Sequence, residues 1–356
     1  MIEQLKRLFG RKQADAPQAP TGETLRLNVY STMLLMPKPA FAHVLHARRD
    51  LSDPELLAHL NEFCDFVLTR GDGEMTQLKY HVILHLQRVQ HHLAITVGKG
   101  DAEALIAWAT QANALLCTDA RDVLSPNLQL LAASLDGKPD PLARMPYPDG
   151  AWARKARTEA ALAARGIVVP DTLPPLVCED ELTLRERDEI IGRARALLLV
   201  AMRAESVASS EAMSVAELTA KMPLAEDELT PKEREFLAIE APTQQECGEY
   251  IWRYESLNVL EWTLGLASEL AYPASPSDHA QVVARLIEMR GPVVRPVGEI
   301  LDALDLNYRL HWHIRQMRLK KKGEVAGIDA DVVRERHHAL NWLVRFQHAP
   351  WDAVNT

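Results

Sequence analysis

Hydrophobic residues change their period along this chain near residue 150. Before that point, Leu25, Leu27 and Val29 alternate with Arg26, Asn28 and Tyr30, the period-two signature of a half-buried strand. Short apolar runs at residues 92–97, 114–118 and 128–132 predict three further strands. Between them, Ser52-Asp-Pro-Glu55 reads as a capping box with proline near the first helical position, opening a helix to about Thr69. Helices are also expected over residues 76–90 and, capped by Asp101, to about Gln111. This pattern predicts a small α+β domain with a sheet of roughly four strands.

A Pro/Gly/Asp-rich stretch, DGKPDPLARMPYP, marks a boundary. Beyond it comes a helix over residues 152–165, an extended proline-rich segment (IVVPDTLPPLVCEDE), and then helix to the end. Thr183-Leu-Arg-Glu186, Ser214-Val-Ala-Glu217, Thr230-Pro-Lys-Glu233 and Thr243-Gln-Gln-Glu246 all read as capping boxes. The expected organisation is a flexible tail (1–22), an α+β domain (23–135), a linker (136–150) and an all-α domain (151–356).

The most informative stretch is YIWRYESLNVLEWTLGL, residues 250–266. Tyr250, Tyr254, Leu257, Leu260 and Leu264 form one apolar stripe, and Ile251, Trp252, Val259, Trp262 and Leu266 a second on the opposite side. A helix apolar nearly all round is buried by neighbours on several faces. Arg253 and Glu255 interrupt the two stripes on opposite sides, so their partners must come from other helices, because an unpaired buried charge is very costly.

Two later helices offer partners. From Pro296 to about Lys320, one face carries Val297, Ile300, Leu304, Tyr308, Trp312 and Leu319, with His311 and Arg315 one turn apart on it and His313 opposite. A helix starting at Asp329 or Asp331 and running to about Gln347 places Arg336 at the centre of its apolar face, Glu335 and Trp342 at one edge and His337 at the other. His338 faces away. The wheels therefore predict a buried polar cluster of Arg253, Glu255, His311, Arg315, Glu335 and Arg336. Trp252, Tyr254, Trp262, Tyr308, Trp312 and Trp342 would line it. Three readings stand side by side: mutually satisfied pairs that set helix register, a surplus guanidinium that receives a carboxylate or phosphate, or Glu335 and His311 as general acid and base beside the arginines.

Composition narrows the classes. The formal net charge of −9 argues against a dedicated nucleic-acid binder. The four cysteines form no CxxC pair, which favours reduced thiols in a cytoplasm over a disulfide framework or zinc site. No apolar run is long enough to span a bilayer. The N-terminal MIEQLKRLFGRK can form a short basic amphipathic helix, but the Ala/Pro/Gly stretch after it favours a solvated tail over membrane contact. His81, His85, His91 and His92 lack HExxH spacing or a carboxylate neighbour, and His311 and His313 point to opposite sides of a helix, so no metal site and no cofactor is expected.

The landmarks RGIVVPDTLPPL, LRERDEIIGRARALLLVA, WRYESLNVLEWTLGL, EILDALDLNYRLHWHIR, ERHHALNWL and WDAV, in that order, resemble the bacterial domain-of-unknown-function 4272 family over residues 152–356. The final Val354-Asn355-Thr356 departs from the Asp-Thr close associated with that family. The resemblance implies a bacterial cytosolic protein and assigns no reaction and no catalytic residues. The expectation is a non-enzymatic binding or interaction protein, with an unknown protein partner or a small anion as ligand. The alternative is a hydrolase or transferase using Glu335 and His311 beside Arg253, Arg315 and Arg336.

Overall fold

The computed structural model describes residues 20, 22–70, 74–135, 137–321 and 327–356. The expected N-terminal tail (apart from Pro20 and Gly22), the glycine break at 71–73 and most of the basic turn KKKGEVAG lie outside the described residues. The chain divides into two compact units, residues 1–148 and 149–356, each with its own cores.

The first unit is built on an antiparallel sheet of six strands in the order β2-β3-β1-β4-β5-β6. They are β1 (Thr24–Ser31), β2 (His43–Asp50), β3 (His91–Gly98), β4 (Ala114–Thr118), β5 (Val123–Leu124) and β6 (Leu130–Ala132). The sheet is thus larger than the expected four strands. β2 shows no period-two pattern because it is an edge strand, exposed at Val44, Leu45, His46 and Arg48 along a bulged pairing with β3. β5 is too short to carry a pattern. The sheet is also covered on both faces. Tyr30, Leu115 and Val123 pack with α1 (Pro54–Thr69) and α2 (Gln77–Leu86), while Leu27, Val29 and Ile95 pack with α3 (Ala102–Gln111). The cap of α1 falls one residue later than expected. Pro54 takes the first helical position, so Asp53 accepts the Glu55 N–H (2.9 Å) and the Ser52 hydroxyl turns back to Asp50.

The second unit is helical: α4 (Asp149–Ala163), α5 (Arg187–Ala208), α6 (Val215–Lys221), α7 (Pro231–Ala238), α8 (Gln244–Ile251), α9 (Arg253–Thr263), α10 (His279–Ile287), α11 (Val297–Leu319) and α12 (Ala330–Leu343). Ser214, Thr230 and Thr243 close capping boxes at the starts of α6, α7 and α8. Thr183 does not. The Arg185 N–H bonds the Leu343 carbonyl and its guanidinium bonds the Trp342 and Ala349 carbonyls, so this segment stays extended and α5 begins at Arg187. Tertiary hydrogen bonds here outweigh a local cap.

Residues 250–266 are not one helix. At Trp252 the ladder is interrupted, with the Glu255 N–H bonding the Trp252 carbonyl three residues back, and α8 hands over to α9. α9 packs against α5, α10 and α12, and α12 packs in turn against α11. Every residue from Tyr254 to Leu264 is buried, as an element apolar on all sides requires. The shared core joins Leu197, Leu198, Leu257, Leu260, Ile300, Leu304, Leu340 and Leu343.

Candidate functional site

Two ion pairs link α9 to α12. Arg253, the first residue of α9, donates from Nη1 to Glu335 Oε2 at 2.8 Å. Two residues on, Glu255 points to the opposite side of α9 and accepts from Arg336 Nε at 3.1 Å. Each helix therefore supplies one acid and one base. Residues two apart on α9 diverge by about 200° and neighbours on α12 by about 100°, so the two pairs sit at different depths.

The inner pair is sealed, with the side chains of Arg336 and Glu255 3% and 2% exposed. Arg336 also donates to the Ala271 carbonyl, and Glu255 accepts the Ser277 N–H. The outer pair is at the surface: Glu335 is nearly buried, but the Arg253 side chain is 25% exposed. Glu335 accepts in addition from the Ser256 hydroxyl (3.1 Å) and faces Arg334 at 3.5 Å.

His311 and Arg315 do not join these pairs. His311 meets His337 instead, Nδ1 to Nδ1 at 3.0 Å. Asn341 Nδ2 lies 3.3 Å from His337 Nε2 and donates to it, so His337 carries its proton on Nδ1 and donates it to His311. Both rings are held neutral. Burial, helped by Arg315, Arg334 and Arg318, pushes His311 down to about 4, and burial followed by the His311 ring pushes His337 down to about 3. Arg315 is exposed and forms no ion pair among the described residues. The apolar face of α11 continues past the core it covers, to Leu319, which is exposed, and Arg315 lies on that overhang. His313, on the other side, is the buried member of the HxH pair.

Of the six aromatic residues expected around the cluster, Trp252 lines a hollow together with Arg253. Tyr254 is buried, stacked on His279, with its hydroxyl donating to Glu205 at 2.8 Å. Trp262 lies under Arg295 and Trp342 under Arg185 and against Trp351, all core contacts. Tyr308 lies 6.0 Å from the His337 ring, and Trp312 packs on a separate core with Leu310 and Val333.

Two surface hollows flank the outer pair. One, of about 230 Å³, is lined by Lys232, Arg253, Arg334, Glu335, His338, Trp351, Asp352 and Thr356. The other, of about 540 Å³, shares Arg253, Arg334 and Glu335 and adds Gln245, Gly248, Glu249, Trp252 and Asp331. The Arg253–Glu335–Arg334 group is the ridge between them. In the smaller hollow three cations stand against Glu335, already paired with Arg253, and Asp352, which accepts the Lys232 backbone N–H at 3.2 Å. Glu335 occupies only Arg253 Nη1. The Arg253 Nε is closed off from solvent without a partner, and Nη2 bonds nothing among the described residues. With Nε closed off, the two-bond Nε–Nη2 edge is not open to an anion, and the terminal Nη2 is the nitrogen left for one.

Sequence reasoning missed Lys232, Arg334 and His338, since the hollow depends on where α7, α12 and the C-terminal turn come to rest. It also missed a second buried acid on α9: Glu261, fully buried, accepts from Arg285 Nε at 2.7 Å. The all-round apolar wheel carried that signal, because any acid between Leu260 and Trp262 is buried with them. Among the described residues no three metal-ligating side chains converge, and no helix is long and apolar enough to cross a membrane.

No curated protein and no solved structure matches the chain. Residues 154–354, more than half of its length, match the family model described as "Domain of unknown function (DUF4272)". They take in α9, α12 and both ion pairs, and the protein belongs to that family.

Proposed function

We propose that this is a non-enzymatic binding protein whose helical unit receives a small carboxylate or phosphate in the hollow beside Arg253, Arg334 and Lys232. The observation that carries this reading is the Nη2 of Arg253, unbonded among the described residues on a side chain that is 25% exposed and held through Nη1 by Glu335, with Lys232 and Arg334 (itself paired with Asp331 at 2.8 Å) lining the same hollow. The sealed Arg336–Glu255 pair belongs to the framework. The acid/base alternative has no such support: Glu335 is engaged by Arg253, Ser256 and Arg334, and His311 is bonded to His337, with no contact joining the two. A protein partner presenting a carboxylate would use the same nitrogen.

A bacterial, cytoplasmic setting accompanies this proposal, supported by four free thiols and by the family resemblance. The two compact units are proposed as separately folding domains.

The test is a thermal-shift series with acetate, propionate, succinate and inorganic phosphate on the wild type and on Arg253→Lys. Lysine keeps the charge opposite Glu335 and removes the planar fork. An anion present at a hundred times its dissociation constant should stabilise the wild type by about 2.7 kcal/mol, and the folded variant should lose that increment. A wild type indifferent to all four anions, or a variant that responds equally, sinks the proposal.

A further inference from the structure

Charge is segregated along the chain of the helical unit. Residues 211–249 carry ten acids against three bases, whereas residues 306–321 carry bases and no acid at all. The basic end is formed by the last turns of α11 and the two lysines after it. Arg315, Arg318, Lys320 and Lys321 are exposed there, and none of them forms an ion pair among the described residues. Leu319 stands among them, 75% exposed. The helix dipole accounts for cations at this end of α11, but not for a leucine left in water between them. The acidic stretch contains a surface of matching design. In the 3₁₀ turn Pro223–Glu228, Leu224 is 59% exposed beside the exposed Glu226, Asp227 and Glu228. Arg234 touches this turn only through the Glu226 backbone carbonyl, at 3.0 Å, so these three carboxylates also stand without an ion pair among the described residues.

Each surface is thus an exposed leucine beside unpaired charges of one sign, and the signs are opposite. We propose that the end of α11 in one copy of the chain docks on the 223–228 turn of a second copy, cations against carboxylates and Leu319 against Leu224. A single contact of this kind answers both surfaces, whereas a lipid or nucleic-acid partner would leave the acidic turn unmatched. Because the contact joins two different surfaces, each docked copy leaves one of each free, and association runs head to tail. Two exposed turns make a small surface, which places the contact among weak, concentration-dependent ones. The net charge of −9 on each copy does not forbid it. Repulsion between distant charges is screened beyond about 8 Å at physiological salt, while charges brought into contact still attract. This proposal is independent of the anion reading, since Arg315 and Arg318 line neither hollow.

The experiment is sedimentation of the full chain over a concentration series at about 0.01 M and about 1 M salt, where charges act over roughly 30 Å and roughly 3 Å. Two variants are run beside the wild type: Arg315→Glu with Arg318→Glu, and Glu226→Lys with Asp227→Lys. All four positions are exposed, so both variants should fold, which their melting curves check. The wild-type mass should rise with concentration at low salt and return to that of the monomer at high salt. Each variant alone should remain monomeric, because its two surfaces now carry the same sign. An equimolar mixture of the two variants should associate again, since each then offers the surface that the other lacks. A mixture that stays monomeric while the wild type associates overturns the proposal, as does association that survives either reversal or high salt. A wild type that is monomeric at every concentration at low salt overturns it as well. Cosedimentation with phosphatidylglycerol vesicles, lost in Arg315→Glu with Arg318→Glu, would then assign the basic end to a lipid surface instead.

Discussion

At the scale of single residues, Glu261 is the group whose charge the fold opposes most clearly. It is fully buried on α9, Arg285 bonds one of its oxygens, and the other has no partner. Burial pushes its carboxyl up to about 7 from an ordinary value of 4.5, with Arg285 pulling the other way and losing. A folded value above the unfolded one means that the native state favours the protonated form. The resulting stability is complete below about 4.5 and is lost as pH rises through about 7. Glu261→Gln should therefore flatten the stability profile between pH 4.5 and 7, removing a slope of at most about 1.4 kcal/mol per pH unit. Urea unfolding of both proteins across that range checks it, and parallel profiles would show that Glu261 is ionised throughout. The burial of Glu255 was legible in the sequence, and that of Glu261, though not singled out, follows from the same apolar wheel, whereas Arg253, read as buried, ends a quarter exposed. Their partners were legible only as candidates. A wheel shows which side a group faces but not which residue of a neighbouring helix stands there, and Arg315, one turn from His311, ends in solvent.

At the scale of elements, starts were easier to read than ends. Ser214, Thr230 and Thr243 cap their helices through a bond that spans three residues, so it is written locally. The break at Trp252 has no such local sign. The end of α9 does have one, in Gly265. With φ of +74° it allows the Leu266 N–H to reach the Glu261 carbonyl and its own N–H to reach that of Trp262, a paired closure of the last turn. A Cβ there would also lie 3.1 Å from the Val293 carbonyl oxygen. Gly265→Ala should cost about 1–2 kcal/mol in unfolding free energy, the strain of a left-handed alanine. An unchanged denaturation midpoint would mean that the turn relaxes freely. At the other end of α9, Arg253 stands at the first helical position. That placement brings its guanidinium to the surface while Glu255, one step deeper, is enclosed.

For the whole molecule, the two units have separate hydrophobic clusters, and the Pro-rich stretch near the boundary between them offers no helix or strand to pair. Residues 149–356 expressed alone should fold, unfold in one cooperative transition and retain the anion response proposed for Arg253. Loss of cooperative melting would show that the helical unit depends on the first. The class of each unit, the helical burial of 254–264 and the family landmarks follow from the sequence alone, because periodicity and caps are properties of neighbouring residues. Tertiary structure decided what depends on distant segments meeting: the edge strand β2 without a pattern, the extended run before Arg187, the division of the charges into a sealed pair and a surface pair, and the hollow in which Lys232, Arg334 and His338 join Arg253. Those features arise where chain segments far apart in sequence are packed together, and no local pattern encodes the meeting point.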